Sequence, residues 1–230
     1  MDELEDIARE LANAVSDDLR LATGELTEAQ FVAELCALKI RRLLLAGLCL
    51  LENGYWDSLG QLTRSTFEFW LVGIYALRGG KEALERLNAH FHRSARLALG
   101  QETSTELHLK TGEGLKVEQL ARDVGALLRE SGSELSDFPT QWYEHNYRLE
   151  SGAVVHGGLL PLRPHFNSEG DEMIVISDPE DRCDHSEKRL GQMIGMLSWL
   201  ASDLMVSGKK VQSQRFKNVL TRVAAIHFED

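Results

Sequence analysis

Residues that interrupt helices are rare in this chain. Only four of its 230 residues are prolines, and all four lie between Pro139 and Pro179. A proline inside a helix removes a backbone donor and clashes with the preceding turn. Because residues 1–138 contain none, we predict that the first half of the chain runs through successive helices.

Cysteine is also scarce. There are three, Cys36, Cys49 and Cys183, an odd number without CxxC spacing, which argues against a disulfide framework and a cysteine-rich zinc site. Cys36 and Cys49 lie on apolar helical stretches, so we interpret both as small buried hydrophobic residues. This use of cysteine fits a reducing compartment, and we predict a cytoplasmic protein.

A segment that would enter a membrane is missing from the sequence as well. The N-terminal stretch MDELEDIARELANAV is acidic and amphipathic and lacks the basic and apolar regions of a signal peptide. The most apolar run, Leu35 to Leu51, contains Lys39, Arg41 and Arg42 and is shorter than the roughly 20 residues that span a bilayer. We therefore expect neither secretion nor a membrane partner.

Positive charge is in deficit. The chain has 25 Lys and Arg against 36 Asp and Glu, a net charge of -11, and its pI is about 5.2. Such a surface repels polyanions, so extended DNA binding is not expected and any contact with RNA must be local. We expect a protein partner or self-association instead, with RNA as the alternative partner.

The spacing of apolar residues predicts helices along most of the chain. They run over 2–23, 27–51, 55–77, 81–99, 115–130, 139–155, 184–206 and 209–228. Thr27 and Gln30 form a capping-box pattern at the start of the second helix. The connections between the first four are short, which favours antiparallel neighbours. Two short apolar stretches around the turn Asn167–Asp171 predict a β-hairpin over 159–177. The predicted fold is all-α, a single domain over 1–230 formed by an up-and-down multi-helix bundle, with this hairpin as an insertion and 184–228 as a C-terminal helical pair.

A charged pair lies inside the otherwise apolar stretch TRSTFEFWLVGIYAL. Arg64 and Glu68 are four residues apart, so they are neighbours on a helix, in the order that is less favourable for an exposed pair. Burying charge costs free energy unless partners satisfy it. Three interpretations remain open: a buried structural pair, a functional pair, or an exposed polar strip shared with Asp57 and Gln61.

A second polar segment, YRLESGAVVHGG, begins at Tyr147 and supplies a hydroxyl, a guanidinium, a carboxylate and an imidazole. Because buried charges need partners, we predict that Arg64 and Glu68 contact a residue of this segment. The candidate partners are Tyr147, Ser151 and His156. With the neighbouring arginine, the candidate site therefore consists of Arg64, Glu68, Tyr147, Arg148, Ser151 and His156.

Signatures of metal and cofactor binding are missing. The helical HExxH pattern does not occur, and His90 and His92 lie on opposite sides of a predicted helix, a poor arrangement for chelation. The Gly-Gly pairs at 79–80 and 157–158 lack the GxGxxG and GxxxxGK[ST] patterns and are interpreted as helix ends. We therefore expect no cofactor and no metal.

The motifs RSTFE and YRLESGAVVHG resemble those of an uncharacterised family of mostly helical bacterial proteins. That family pairs Arg-x3-Glu with Tyr-x3-Ser and a following His-Gly, and the resemblance covers about residues 45–160. More loosely, the chain is similar to HEPN helical bundles, whose ribonuclease members use an Arg-x4-6-His motif. In this chain seven residues, LESGAVV, separate Arg148 from His156.

Two functions from different classes follow. The first is a helical interaction or regulatory protein of bacterial stress response or phage defence, in which the polar residues form a network that fixes helix register. The second is a HEPN-like endoribonuclease. In it His156 is the general acid or base, Arg148 or Arg64 stabilises the phosphate charge, and Tyr147 or Ser151 orients the substrate. A small-ligand binder is the remaining alternative.

Overall fold

The computed structural model describes residues 2–20, 26–100, 115–148, 166–169, 172–175, 183–208 and 212–226. Eight α-helices lie within this described part of the chain: α1 Asp2–Arg20, α2 Glu28–Glu52, α3 Leu59–Arg78, α4 Gly80–Ala98, α5 Val117–Glu130, α6 Phe138–Trp142, α7 Cys183–Ser207 and α8 Gln214–Ala224. A 3-10 turn, Trp56–Ser58, precedes α3, and a π-helical turn, Tyr143–Tyr147, follows α6. The prediction of an all-α helical bundle is confirmed.

Helices α2, α3 and α7 form the centre of the bundle, and each packs against the other two. Their facing side chains are fully buried, including Ile40 and Leu44 of α2, Phe67 of α3, and Leu197 and Leu200 of α7. Apolar residues of α1, α5 and α8 join the same core cluster. Each such side chain contributes roughly 1.5–3 kcal/mol when it is fully buried, so this single core is the main source of stability.

The start of α2 follows from local sequence as predicted. Thr27 is the N-cap, and its hydroxyl accepts from the backbone N–H of Gln30, while the Gln30 side chain accepts from the backbone N–H of Thr27. This reciprocal pair is a capping box, which satisfies backbone donors that the first helical turn leaves unpaired. After the helix, Gly54 adopts a φ of 78°, a left-handed conformation that favours glycine.

The first and last helices of the described chain pack together. Ser213 caps α8 and donates from its hydroxyl to Asp18 of α1 at 2.9 Å. Arg222 donates to Glu10 at 2.6 Å, and the ring of Phe216 is fully buried. Helix α8 thus packs mainly on α1 rather than on α7.

Two short strands, Phe166–Glu169 and Glu172–Val175, pair in antiparallel fashion with Ser168 opposite Met173. Most of the predicted insertion over 159–177 lies outside the described residues. A two-stranded pairing of four residues is marginal by itself in water. The hairpin as a stable insertion therefore stays a prediction.

The two cysteines on α2 differ in environment. Cys36 is buried, as predicted, and burial raises the pKa of its thiol to about 12, which leaves it unreactive. Cys49 is exposed, so the prediction that it is buried was wrong. It lies on the solvent face of α2, which carries other apolar residues as well, such as Leu35 at 51% exposure.

No helix in the described ranges combines the length and the apolar character needed to cross a membrane.

Candidate functional site

Arg64, Glu68 and Tyr147 form a closed polar triangle. Arg64 Nη2 lies 2.9 Å from Glu68 Oε1. The Tyr147 hydroxyl accepts from Arg64 Nη2 at 2.6 Å and donates to Glu68 Oε1 at 2.7 Å. The Arg64 guanidinium carbon also lies 4.7 Å from the centre of the Tyr147 ring. Each of the three groups therefore contacts the other two.

Aromatic packing holds Tyr147 in place. Phe67, between the two charged residues of α3 in sequence, lies 4.2 Å from Trp142 and 5.9 Å from Tyr147, measured between ring centres. On the other side, Tyr143 stacks on Tyr147 at 5.3 Å. The π-helical turn Tyr143–Tyr147 contains both tyrosines. Such turns are rare and occur frequently at functional sites.

The triangle is partly exposed. Tyr147 is 8% exposed, whereas the Arg64 and Glu68 side chains are 26% and 36% exposed. The interpretation of the charged pair as buried thus holds only in part, because its outer edge reaches solvent. Water reduces the desolvation cost of the pair and also weakens its attraction.

The Tyr147 hydroxyl is held in its neutral form. Burial, the hydrogen bond to Glu68 and the negative charge of Glu68 together raise the pKa of Tyr147 to about 12, although Arg64 acts in the opposite direction. A neutral phenol can donate one proton, and here that proton is directed at Glu68. The arrangement is suited to fixing α3 against the Tyr143–Tyr147 turn and poorly suited to making Tyr147 a nucleophile.

The remaining predicted site residues are distributed differently. The predicted contact between the Arg64–Glu68 pair and the second polar segment is confirmed for Tyr147. Arg148 follows the π turn and is exposed. Ser151 and His156 lie outside the described residues, so their predicted contacts stay predictions.

His90 and His92 of α4 have separate environments. His90 is half-buried, and its Nδ1 accepts from the backbone N–H of Leu115 at 3.2 Å. Burial, reinforced by the nearby charge of Arg93, lowers the pKa of His90. His92 is exposed. Within the part of the chain that the structure describes, no group of three or more His, Cys, Asp or Glu side chains is placed to hold a metal ion.

A cleft that the sequence did not predict separates the α6 region from α7. It has a volume of about 360 Å³, with the rings of Phe138, Trp142 and Trp199 in its walls and Gly195 on the opposing helix. The sequence contained one signal for it: Gly191 and Gly195 are one helical turn apart inside a predicted helix. Nothing in the sequence indicated which way these glycines face.

No protein-family model, curated protein or solved structure matches the chain. The case for a function therefore rests on the contacts within the molecule itself.

Proposed function

We propose that this chain is a helical interaction or regulatory protein of bacterial stress response or phage defence, which acts by binding another protein. The closed triangle of Arg64, Glu68 and Tyr147 carries the proposal, because the three groups satisfy one another. Such a network fixes the position of one helix on another. Its side chains already form hydrogen bonds and an ion pair with one another, so these groups are not left to bind a substrate. The β-hairpin insertion predicted at 159–177 stays part of this proposal.

The partner-binding surface in this proposal is the outer face of α4. Ala83 is the one buried residue in that helix. Near its C-terminal end Phe91 is 68% exposed and Leu99 is 70% exposed. No acidic residue occurs in 91–100, and this stretch carries two arginines and one histidine in a chain whose net charge is -11. An apolar patch with a basic rim fits a protein partner whose surface is apolar and acidic.

The test compares three purified forms of the protein as bait in a lysate of the source cells. They are the wild type, Phe91→Asp on the proposed surface, and Val206→Asp as the matched control. Val206 is equally exposed but lies on α7. We expect a partner that the wild type and the Val206→Asp variant retain and the Phe91→Asp variant loses. Sedimentation of the same three forms shows whether that partner is a second copy.

RNA cleavage is the second candidate function. It is favoured by the exposed Arg148 next to a π-helical turn, a kind of turn frequent at functional sites. In this alternative His156 is the general acid or base, and Arg148 or Arg64 stabilises the charge on the phosphate. Incubation with total RNA separates the candidates. Cleavage that His156→Ala abolishes, with an unchanged melting temperature, would replace the interaction function with this one.

A further inference from the structure

The cleft between α6 and α7 has the size of a small-molecule site. Its volume of about 360 Å³ lies within the range of roughly 300–1,000 Å³ that ligand pockets usually occupy. It lies on the α6 and α7 side of the molecule, and none of the described residues that line it belongs to α4. A site here is therefore independent of the partner surface proposed on α4.

Glycine keeps the cleft open. A glycine in the interior of a helix costs about 1 kcal/mol relative to alanine, so it calls for a structural reason. Gly73 of α3 has one, because a Cβ there would lie 2.7 Å from the Leu200 side chain. Gly195 of α7 has no such reason, since a Cβ there would meet nothing within 4 Å. Its missing side chain leaves space that a ligand can use.

The walls of the cleft are aromatic and fixed. Phe138 meets Trp199 edge to face at 5.0 Å and Trp70 at 5.4 Å. Trp142 packs against Phe67 at 4.2 Å. Rings held by neighbouring rings lose little freedom when a flat molecule binds against them, and aromatic surfaces favour planar ligands.

The rim of the cleft is polar and basic. Gln141, His145 and Lys188 line it and are exposed, and none of the described residues that line it is acidic. Lys188 is exposed, and among the described residues no carboxylate forms an ion pair with it. In an acidic protein this local positive charge selects for an anionic group on the ligand.

We propose that this cleft binds a small planar heteroaromatic molecule that carries one anionic group. The ring lies against Trp142 and Trp199 over the open space at Gly195, and the anion lies near Lys188. Either a carboxylate or a phosphate can supply this anionic group.

Calorimetric titration with two anions and their neutral counterparts tests the proposal. Indole-3-acetate is compared with indole-3-acetamide, and adenosine 5′-monophosphate with adenosine. We expect saturable binding of at least one anion in the micromolar to low-millimolar range and weaker binding of its neutral counterpart. The anion that binds more tightly shows whether the cleft prefers a carboxylate or a phosphate. Binding of adenosine 5′-monophosphate, which has no indole ring of its own, should also quench tryptophan fluorescence, because two tryptophans line the cleft.

Three variants locate the binding. Gly195→Leu fills the cleft without a clash at its Cβ and should abolish binding while the melting temperature holds or rises. Lys188→Gln should weaken binding of the anion about fivefold, the effect of one exposed charge pair. Lys81→Gln removes an exposed lysine of α4 and should change nothing. The proposal is overturned if neither anion binds, or if Gly195→Leu or Lys188→Gln binds as tightly as the wild type.

Discussion

Tyr147 connects two parts of the chain that are far apart in sequence, since it lies 83 positions after Arg64. Its hydroxyl lies between a guanidinium and a carboxylate of α3, and its ring lies among the aromatic residues below them. We predicted this contact from the sequence, because a charged pair that is removed from water needs a hydrogen-bonding partner. The partner's place on a π turn was not predictable, because the turn depends on how the rings pack.

The first prediction removes only the Tyr147 hydroxyl. Tyr147→Phe keeps the ring and loses two hydrogen bonds to charged groups, so we expect the free energy of unfolding to fall by about 1–2 kcal/mol. Urea unfolding near neutral pH measures the loss. Tyr143→Phe is the control, because it removes a hydroxyl from the stacked neighbour outside the triangle, and it should stay within about 0.5 kcal/mol of the wild type.

This difference should depend on pH in a defined direction. The ordinary tyrosine pKa is 10.0, and the folded protein raises that of Tyr147 to about 12. Between these values the unfolded chain has released a proton that the folded chain retains, so the contribution to stability falls as pH rises. The gap between wild type and Tyr147→Phe should therefore be constant below pH 10 and narrow above it. If the difference in stability between wild type and Tyr147→Phe widens above that pH, the Tyr147 hydroxyl is not held as a neutral, hydrogen-bonded phenol.

The second prediction concerns the charged pair. Glu68→Ala leaves Arg64 without its carboxylate, a change that costs about 3–5 kcal/mol when such a pair is fully buried. Because these side chains are 26% and 36% exposed, we expect a smaller loss of about 1–2 kcal/mol. The double variant Arg64→Leu with Glu68→Leu removes both charges and should lose less than Glu68→Ala alone. Unfolding curves for both variants decide the point, and an unchanged midpoint for Glu68→Ala would mean that the triangle contributes nothing.

At the scale of helices, the local sequence predicted where most helices begin and end. It predicted little about how the helices pack against one another. Thr27 and Gln30 predicted the start of α2, because a capping box depends on residues within one turn. The cleft was not predictable, because it depends on where α6 lies relative to α7. Gly73 and Gly195 look alike in sequence, yet one allows close approach of α3 to Leu200 and the other borders empty space. Tertiary geometry decides between the two roles.

The third prediction tests the link between α4 and the start of α5. Protonation of His90 would block the Nδ1 that accepts from Leu115, and its pKa is already below the ordinary value of 6.5. The unfolded chain therefore binds this proton more readily, and the contribution of His90 to stability is lost as pH falls below about 6.5. His90→Gln keeps an acceptor that does not titrate. We expect the melting temperature of the variant to fall less than that of the wild type when the pH is lowered from about 7.5 to about 5.5.

The control for this prediction is His92→Gln, which makes the same chemical change at an exposed position of the same helix. It should follow the wild type across the pH range. If His90→Gln and His92→Gln show the same pH dependence, the hydrogen bond to Leu115 does not contribute.

For the molecule as a whole, the contact between α1 and α8 joins the two ends of the described chain. Phe216 of α8 is fully buried, and the polar contacts to Glu10 and Asp18 surround it. The spacing of residues along the chain predicted both helices, the first as an amphipathic helix and the last as a basic-acidic one. It could not pair them, because an apolar face does not specify which other face covers it.

The fourth prediction measures how much this closure contributes. Phe216→Ala should reduce the free energy of unfolding by about 3–5 kcal/mol through lost burial and the cavity left behind. That is a large part of the roughly 5–15 kcal/mol that stabilises a typical domain. Chemical denaturation gives the value directly. A loss below about 1 kcal/mol would show that α8 is dispensable to the core, because surface substitutions usually have effects of that size.

The pairing of α1 with α8 also sets an order of events during synthesis. The contact between Glu10 and Arg222 spans 212 residues, so a ribosome that adds about 5–20 residues per second makes the second partner roughly 10–40 s after the first. Throughout that interval Ile7, Leu11 and the rest of the apolar face of α1 have no α8 to cover them. During this interval the part of α1 that α8 later covers is thus open to chaperones and proteases.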